Sequence, residues 1–179
     1  MEQLVSTEWL ANGLGASDLR LVDASMFLPS DNRNAAAEFE AEHIPGAVFM
    51  NLSEIVDSTN PLPMMLPGAE KFASRMQSLG LGDGSRIVIY DNSPWKSAPR
   101  AWWMLSQVFG AHGVAVLDGG LAKWKAEGRA LESGKPTIRH RHFTAWKNDK
   151  VVRDKAQMLA NIDSKAEQVV DARGAAKTP

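Results

Sequence analysis

The stretch "RIVIYDNSPWKSAPRAWWML", residues 86–105, decides the fold. Residues 87–90 form a continuous β-rich run, as expected of a strand covered on both faces. Asp91 opens a short loop, and the spacing predicts a helix starting near Pro99. Where a strand feeds a tight loop and then a helix N-terminus, backbone N–H groups converge, and such a place suits a nucleophile. The residue standing there is an aspartate. The stretch is therefore an active site, the relic of one, or only a turn.

The chain around it alternates in the same way. "VSTEWLANGLG" predicts a short helix capped by Ser6, with Val5 placed for a hydrophobic staple and Gly13 or Gly15 ending it. "LRLVDAS" predicts a strand over 19–23 that runs into a polar loop. "NAAAEFEAEH" reads as a helix, and "HIPGAVFMN" as a turn at Pro45 and Gly46 followed by a short strand. Residues 51–67 are proline-broken and apolar, an ordered loop packed on the domain. Pro67 is expected at the first position of the next helix, whose Phe72, Met76 and Leu79 follow helical spacing up to Gly80. The helix of the opening stretch ends at Gly110, "VAVLD" follows as a strand, and "GLAKWKAEG" is a short helix stopped by Gly128. This rhythm predicts an α/β fold, an open and mostly parallel sheet with helices on both faces. In such sheets ligands gather outside the carboxyl ends of the strands. Asp23, Asp91 and Asp118 all fall at those ends, and Asp118, before two glycines, reads as a turn cap.

Composition narrows the function classes. Of 179 residues, 44% are hydrophobic and 23% charged, which is globular material. A formal net charge of −1 leaves no basic excess for a phosphate backbone, so no nucleic-acid partner is expected. No apolar run reaches membrane-spanning length, so no membrane partner is expected either. The opening "MEQLVSTEWLANGL" has neither the basic nor the apolar part of a secretory signal, and cytoplasmic residence is the expectation. There are no cysteines, which rules out disulfides, thiolate catalysis and CxxC redox centres within these residues. Among the histidines only His140 and His142 are close, without a carboxylate cluster, and read as a solvated loop or edge strand in preference to a metal site.

The chain also repeats itself. "VVRDKAQMLANIDSKAEQVVDARG" set beside "VSTEWLANGLGASDLRLVDAS" matches "LAN" to "LAN" and "VVDAR" to "LVDAS", at separations that differ by a single residue. We read an internal duplication: a first domain over 1–128, a basic and polar linker over 129–150 anchored by Phe143 and Trp146, and the truncated start of a second domain over 151–179. One helix and one strand cannot bury a core, so most of that second domain is expected beyond these residues.

In this order and spacing, "LRLVDAS", "HIPGAVFMN", "MLPGAEKFASRMQSLGL", "VIYDNSPWKSAPRAWWML" and "VLDGGLAKWKAEG" resemble the first domain of the tandem-domain rhodanese family, the thiosulfate and 3-mercaptopyruvate sulfurtransferases. The resemblance implies a rhodanese-like sheet, a small sulfur-containing substrate and no cofactor. It implies two similar domains, of which only the second carries the catalytic cysteine that becomes a persulfide. The equivalent loop position in the first domain is typically not cysteine, and Asp91 fits that pattern as a cap, so no catalytic residue is expected in this chain and the chain alone is expected to be inactive. By the same resemblance Met26, Arg33, Trp95 and Lys96 form a substrate-facing wall. Trp95 reads equally as a loop aromatic folded back on its own domain, and Arg33 and Arg100 equally as members of structural ion pairs. Trp102, Trp103 and Met104 are expected to pack the core and the protein's own second domain. His43 reads as a structural, hydrogen-bonded histidine. Ser53 and Met64 stand where members resembling the mercaptopyruvate branch carry an acidic residue and a histidine, so a relay through this domain is not expected. The alternative is a non-catalytic rhodanese-like module that binds a partner or an anion through the Asp91 loop.

Overall fold

A computed structural model of the chain describes residues 1–172. The chain divides into two units, Met1–Asn148 and Asp149–Pro179.

In the first unit the elements run β1 (Leu4–Val5), α1 (Thr7–Gly13), β2 (Leu19–Asp23), α2 (Ala35–Ala41), β3 (Ala47–Phe49), α3 (Ala69–Ser78), β4 (Arg86–Tyr90), α4 (Ala98–Trp103), β5 (Val114–Leu117) and α5 (Gly120–Ala126). The five strands form one all-parallel sheet in the order β1-β5-β4-β2-β3. Successive side chains of a strand point to opposite faces, and both faces here are apolar. Val22, Ile87 and Ile89 join a core with Phe72, Met76, Leu105 and Phe109 from the α3 and α4 side. Leu19, Leu21, Val88 and Tyr90 join a second core with Leu10, Phe39, Leu121 and Trp124 from the α1, α2 and α5 side. That double cover is why "RIVIY" carries no polar alternation.

Local chemistry sets the element ends. Ser6 caps α1 by accepting from the Trp9 amide at 3.0 Å, as expected. Val5 pairs with Leu117 as an edge strand too short to show periodicity, and its buried side chain belongs to the same core as Leu10. The cap of α3 is Gly68, so Pro67 lies outside the helix and not at its first position. The helix after Asp91 does not run evenly to Gly110: α4 widens into a π-turn over Met104–Val108, where the Phe109 amide donates to the Met104 carbonyl at 2.9 Å.

Residues 129–148 lie on the first unit. Glu132 exchanges backbone hydrogen bonds with His43 at 2.8 Å, and the Phe143 ring meets Phe72 edge-on at 6.0 Å inside the core. Trp146 anchors differently from expectation: the residue is 76% exposed, and the attachment is its amide on the Phe109 carbonyl. The segment passes so close to Gly80 that a Cβ there would lie 2.8 Å from the Arg139 carbonyl oxygen, and Gly80 also has φ +71°.

In the second unit α6 (Lys155–Ser164) is closed by a capping box between Asp154 and Gln157. The strand expected over 169–173 does not form in its described part: residues 169–172 are not extended in a sheet, and Val170 is 86% exposed. Arg173 and the rest of the chain to Pro179 lie outside the described residues.

Candidate functional site

The sheet order creates the crevice. From β2 the chain moves to β3 on one side and then to β4 on the other, so the connections diverge at the carboxyl ends of β2 and β4, where open α/β sheets hold ligands. Asp23 and Asp91 stand there, 2% and 6% exposed.

The loop that leaves β4 is built inward. One Asp91 carboxylate oxygen accepts from the Ala98 amide at 2.6 Å and the other from the Ser93 amide at 3.3 Å. Ser97, the residue before α4, offers its helix no side-chain cap, so Asp91 supplies the anionic partner that the helix N-terminus favours. The amides that would hold an external anion are thus held by the loop's own carboxylate. The Ser93 and Ser97 hydroxyls, 2.6 Å apart, together bind the Met26 amide, and Ser97 also donates to the Ala24 carbonyl. This pair of serines, four residues apart on either side of Pro94, Trp95 and Lys96, escaped the sequence reading; the S-x-x-x-S spacing was the available signal. It clamps the loop base and leaves the tip exposed.

Asp23 differs in kind. Burial pushes its carboxyl above the ordinary value of 3.8, against hydrogen bonds from Ser25 and the Tyr90 hydroxyl that lower it. The Ser25 amide donates to it at 2.8 Å. Burial, with the Asp23 charge adding to it, likewise holds the Tyr90 hydroxyl well above its ordinary range. A cleft of ≈ 460 Å³ opens over Asp23 and Ser25, bounded by Asn92 and by the ion pairs Arg33–Glu38 and Lys125–Glu42. Glu38 of α2, Glu42 at its C-terminal cap and Lys125 of α5 lie far apart in sequence or carried no motif.

Of the expected wall, Arg33 lines the cleft over Asp23, and the Met26 amide is held by Ser93 and Ser97 of the loop that carries Trp95 and Lys96. The Arg33 guanidinium forks onto Glu38 at 2.8 and 2.5 Å and stacks on Phe27 at 3.7 Å. Met26 packs toward the α3 and α4 core, with the Ser53 hydroxyl 3.7 Å from its sulfur. Trp95, 38% exposed, and Lys96, at φ +60°, sit at the loop tip. Met64 packs against the same core, and its carbonyl accepts from Arg100 at 2.5 Å. Trp102 and Trp103 are half-buried against their own core, Trp102 donating to the Val114 carbonyl at 3.0 Å, and Met104 is fully buried. His43 is buried, stacked on Phe39, with Nδ1 2.7 Å from the Phe39 carbonyl oxygen. Asp118 is exposed beside Lys123.

Non-glycine residues with left-handed backbone follow the same edge. In the first unit these are Asn32, Met64 and Lys96, one in each loop leaving β2, β3 and β4. Strain of this kind concentrates at sites that position ligands or partners.

Comparison with known proteins agrees with this architecture. The model of the Rhodanese-like domain matches residues 6–127. The 3-mercaptopyruvate sulfurtransferase of Mus musculus is 41% identical over 97% of this chain and 60% of its own length. The thiosulfate sulfurtransferase of Cricetulus griseus is 38% identical over 95% of this chain and 59% of its own. The crystal structure of SseA from Escherichia coli, a 3-mercaptopyruvate sulfotransferase, superposes with a TM-score of 0.92 at 38% identity, covering 99% of this chain and 68% of that one. The chain spans about 60% of the length of the curated relatives it matches.

Proposed function

Because this chain belongs to the rhodanese family, we propose that it is the non-catalytic N-terminal part of a two-domain sulfurtransferase whose second domain supplies the cysteine. The observation that carries this reading is the self-filled Asp91 loop: the scaffold of a nucleophile loop with its amides committed to a carboxylate. The repeat of "LAN" and "VDA" and the greater length of the relatives support a second domain beginning near Val151, after a first domain over 1–128 and a linker over 129–150.

In the proposed reaction the cysteine thiolate attacks the transferable sulfur of 3-mercaptopyruvate or thiosulfate. The S–C bond breaks with its electrons passing to an enolate that is protonated to pyruvate, or the S–S bond breaks to release sulfite. A thiolate or cyanide then takes the outer sulfur and restores the cysteine. This chain contributes a wall through Met26, Arg33, Trp95 and Lys96 and a packing face through Trp102 and Trp103. Cytoplasmic residence goes with this reading. A free-standing anion-binding module is less well supported, since the loop's own carboxylate competes for the same amides.

The test compares the 179-residue chain with the longer product of its gene in thiosulfate:cyanide and 3-mercaptopyruvate:thiol assays. We expect no turnover from the chain and turnover from the longer product, lost on exchange of a cysteine roughly seventy residues beyond Asp171, by the Asp23 to Asp91 spacing. Turnover by the 179 residues alone, or a coding sequence without that cysteine, overturns the proposal.

A further inference from the structure

The half-buried arginines of the first unit divide on one point. Arg86 forks onto Asp18 at 2.7 and 2.9 Å, Arg129 reaches Glu127 at 2.5 Å, and Arg20 lies in the field of Asp18. Arg100 has no carboxylate partner among the described residues; its one side-chain hydrogen bond goes to the Met64 carbonyl at 2.5 Å. The loop facing it carries two carboxylates, and both are engaged elsewhere. Glu54 accepts from Asn51 and pairs with Arg75, while Asp57 accepts from the amide and hydroxyl of Thr59. Burial lowers the Arg100 pKa, and no charge among the described residues offsets it. A desolvated cation without a counter-charge is costly, and the rest of its planar donor fork suits an oxyanion in bidentate geometry.

The surroundings point the same way. Met64, which accepts the one bond, is held at φ +61°, and Lys96, four residues before Arg100, at φ +60°. Left-handed backbone thus occurs both at the residue that accepts the Arg100 bond and in the loop that leads into α4, at the carboxyl edge of the sheet.

We propose that Arg100 is a binding residue for a small oxyanion, a carboxylate or thiosulfate, which enters between the 51–67 loop and the first turn of α4. Arg33 differs in that its fork is already engaged by Glu38. The site belongs to this chain, so its test does not depend on transferase activity.

The probes are pyruvate and thiosulfate, titrated into the ¹⁵N-labelled 179-residue chain while the arginine Nε–Hε resonances are followed, with methyl pyruvate as the neutral control. The Arg100 resonance, assigned by its loss in Arg100→Lys, is expected to move saturably with both anions and not with the ester. Arg100→Gln is expected to weaken binding about tenfold or more, Arg100→Lys less, and Arg75→Gln not at all. If Arg100→Gln fails to fold, the native titration and Arg100→Lys still decide. No saturable movement of the Arg100 resonance, or equal binding by Arg100→Gln, overturns the proposal. In the longer protein, an Arg100 resonance that pyruvate cannot move assigns the fork to a protein carboxylate and also overturns it.

Discussion

The opening of the first unit and the opening of the second carry one sequence pattern with two structural outcomes. In the first, Leu10 of "LAN" is fully buried and Val22 of "LVDAS" lies in a strand paired on both sides. In the second, Leu159 of "LAN" is 55% exposed and Val170 of "VVDAR" stands outside any sheet. The helices form in both, because a cap and a hydrogen-bonded first turn are local properties: Ser6 serves one and the Asp154–Gln157 box the other. The strand forms only where neighbours exist. A helix satisfies its own backbone, whereas a parallel strand borrows its hydrogen bonds from β4 and β3.

The contrast is open to attack by making the same exchange at matched positions. Leu10→Ala is expected to cost about 2–5 kcal/mol in denaturant unfolding, and Leu159→Ala no more than about 0.5 kcal/mol. Equal costs would break the comparison. In the longer protein proposed above, the Leu159 cost should rise toward that of Leu10. Val22→Ala follows at about 2–3 kcal/mol, against about 0.5 kcal/mol or less for Val170→Ala.

Asp91→Ala is expected to cost about 1–2 kcal/mol through loss of the α4 cap, measured as a shift of the unfolding midpoint. No shift would mean that the loop amides find other partners equally well.

The smallest expected effect is one of sign. Asp23 is raised by burial, so its neutral form suits the folded state: its contribution is fullest below the ordinary value of 3.8 and is lost as pH rises through the raised folded value. Glu167 in the second unit is lowered by Arg153, so its contribution is present above the ordinary carboxylate value and is lost as pH falls through the lowered one. Relative to the native chain, Asp23→Asn should therefore gain stability with rising pH across the window above 3.8, and Glu167→Gln should lose it across its own window. Parallel pH profiles for Asp23→Asn and the native chain would contradict the role given to burial.

What the sequence made legible follows the same division between local and borrowed structure. The strand pattern of "RIVIY", the Ser6 cap, the turn at Pro45 and Gly46 and the loop after β4 rest on neighbours in the chain, and all were readable. The π-turn after Trp103, the attachment of Trp146 by its backbone and the missing strand at 169–172 depend on packing that no local pattern encodes. The site shows this most plainly. Asp91 was found by its place after a strand, but that Arg33 is closed by Glu38 while Arg100 meets no carboxylate among the described residues could not be read from two arginines that look alike in sequence.

Gly120, at the start of α5, has φ +56°, and a Cβ there would come within 2.5 Å of the Asp91 carbonyl oxygen, the same oxygen that accepts from the Leu121 amide at 3.0 Å. For protein engineering this makes position 120 a gauge on position 91. Installing a thiol at Asp91 is a single exchange along the chain, yet in space it frees the Ala98 amide at one end of the loop while the other end stays locked to α5. A library that varies residues 91–97 and lets residue 120 drift from glycine would displace the very carbonyl that sets where the new sulfur points.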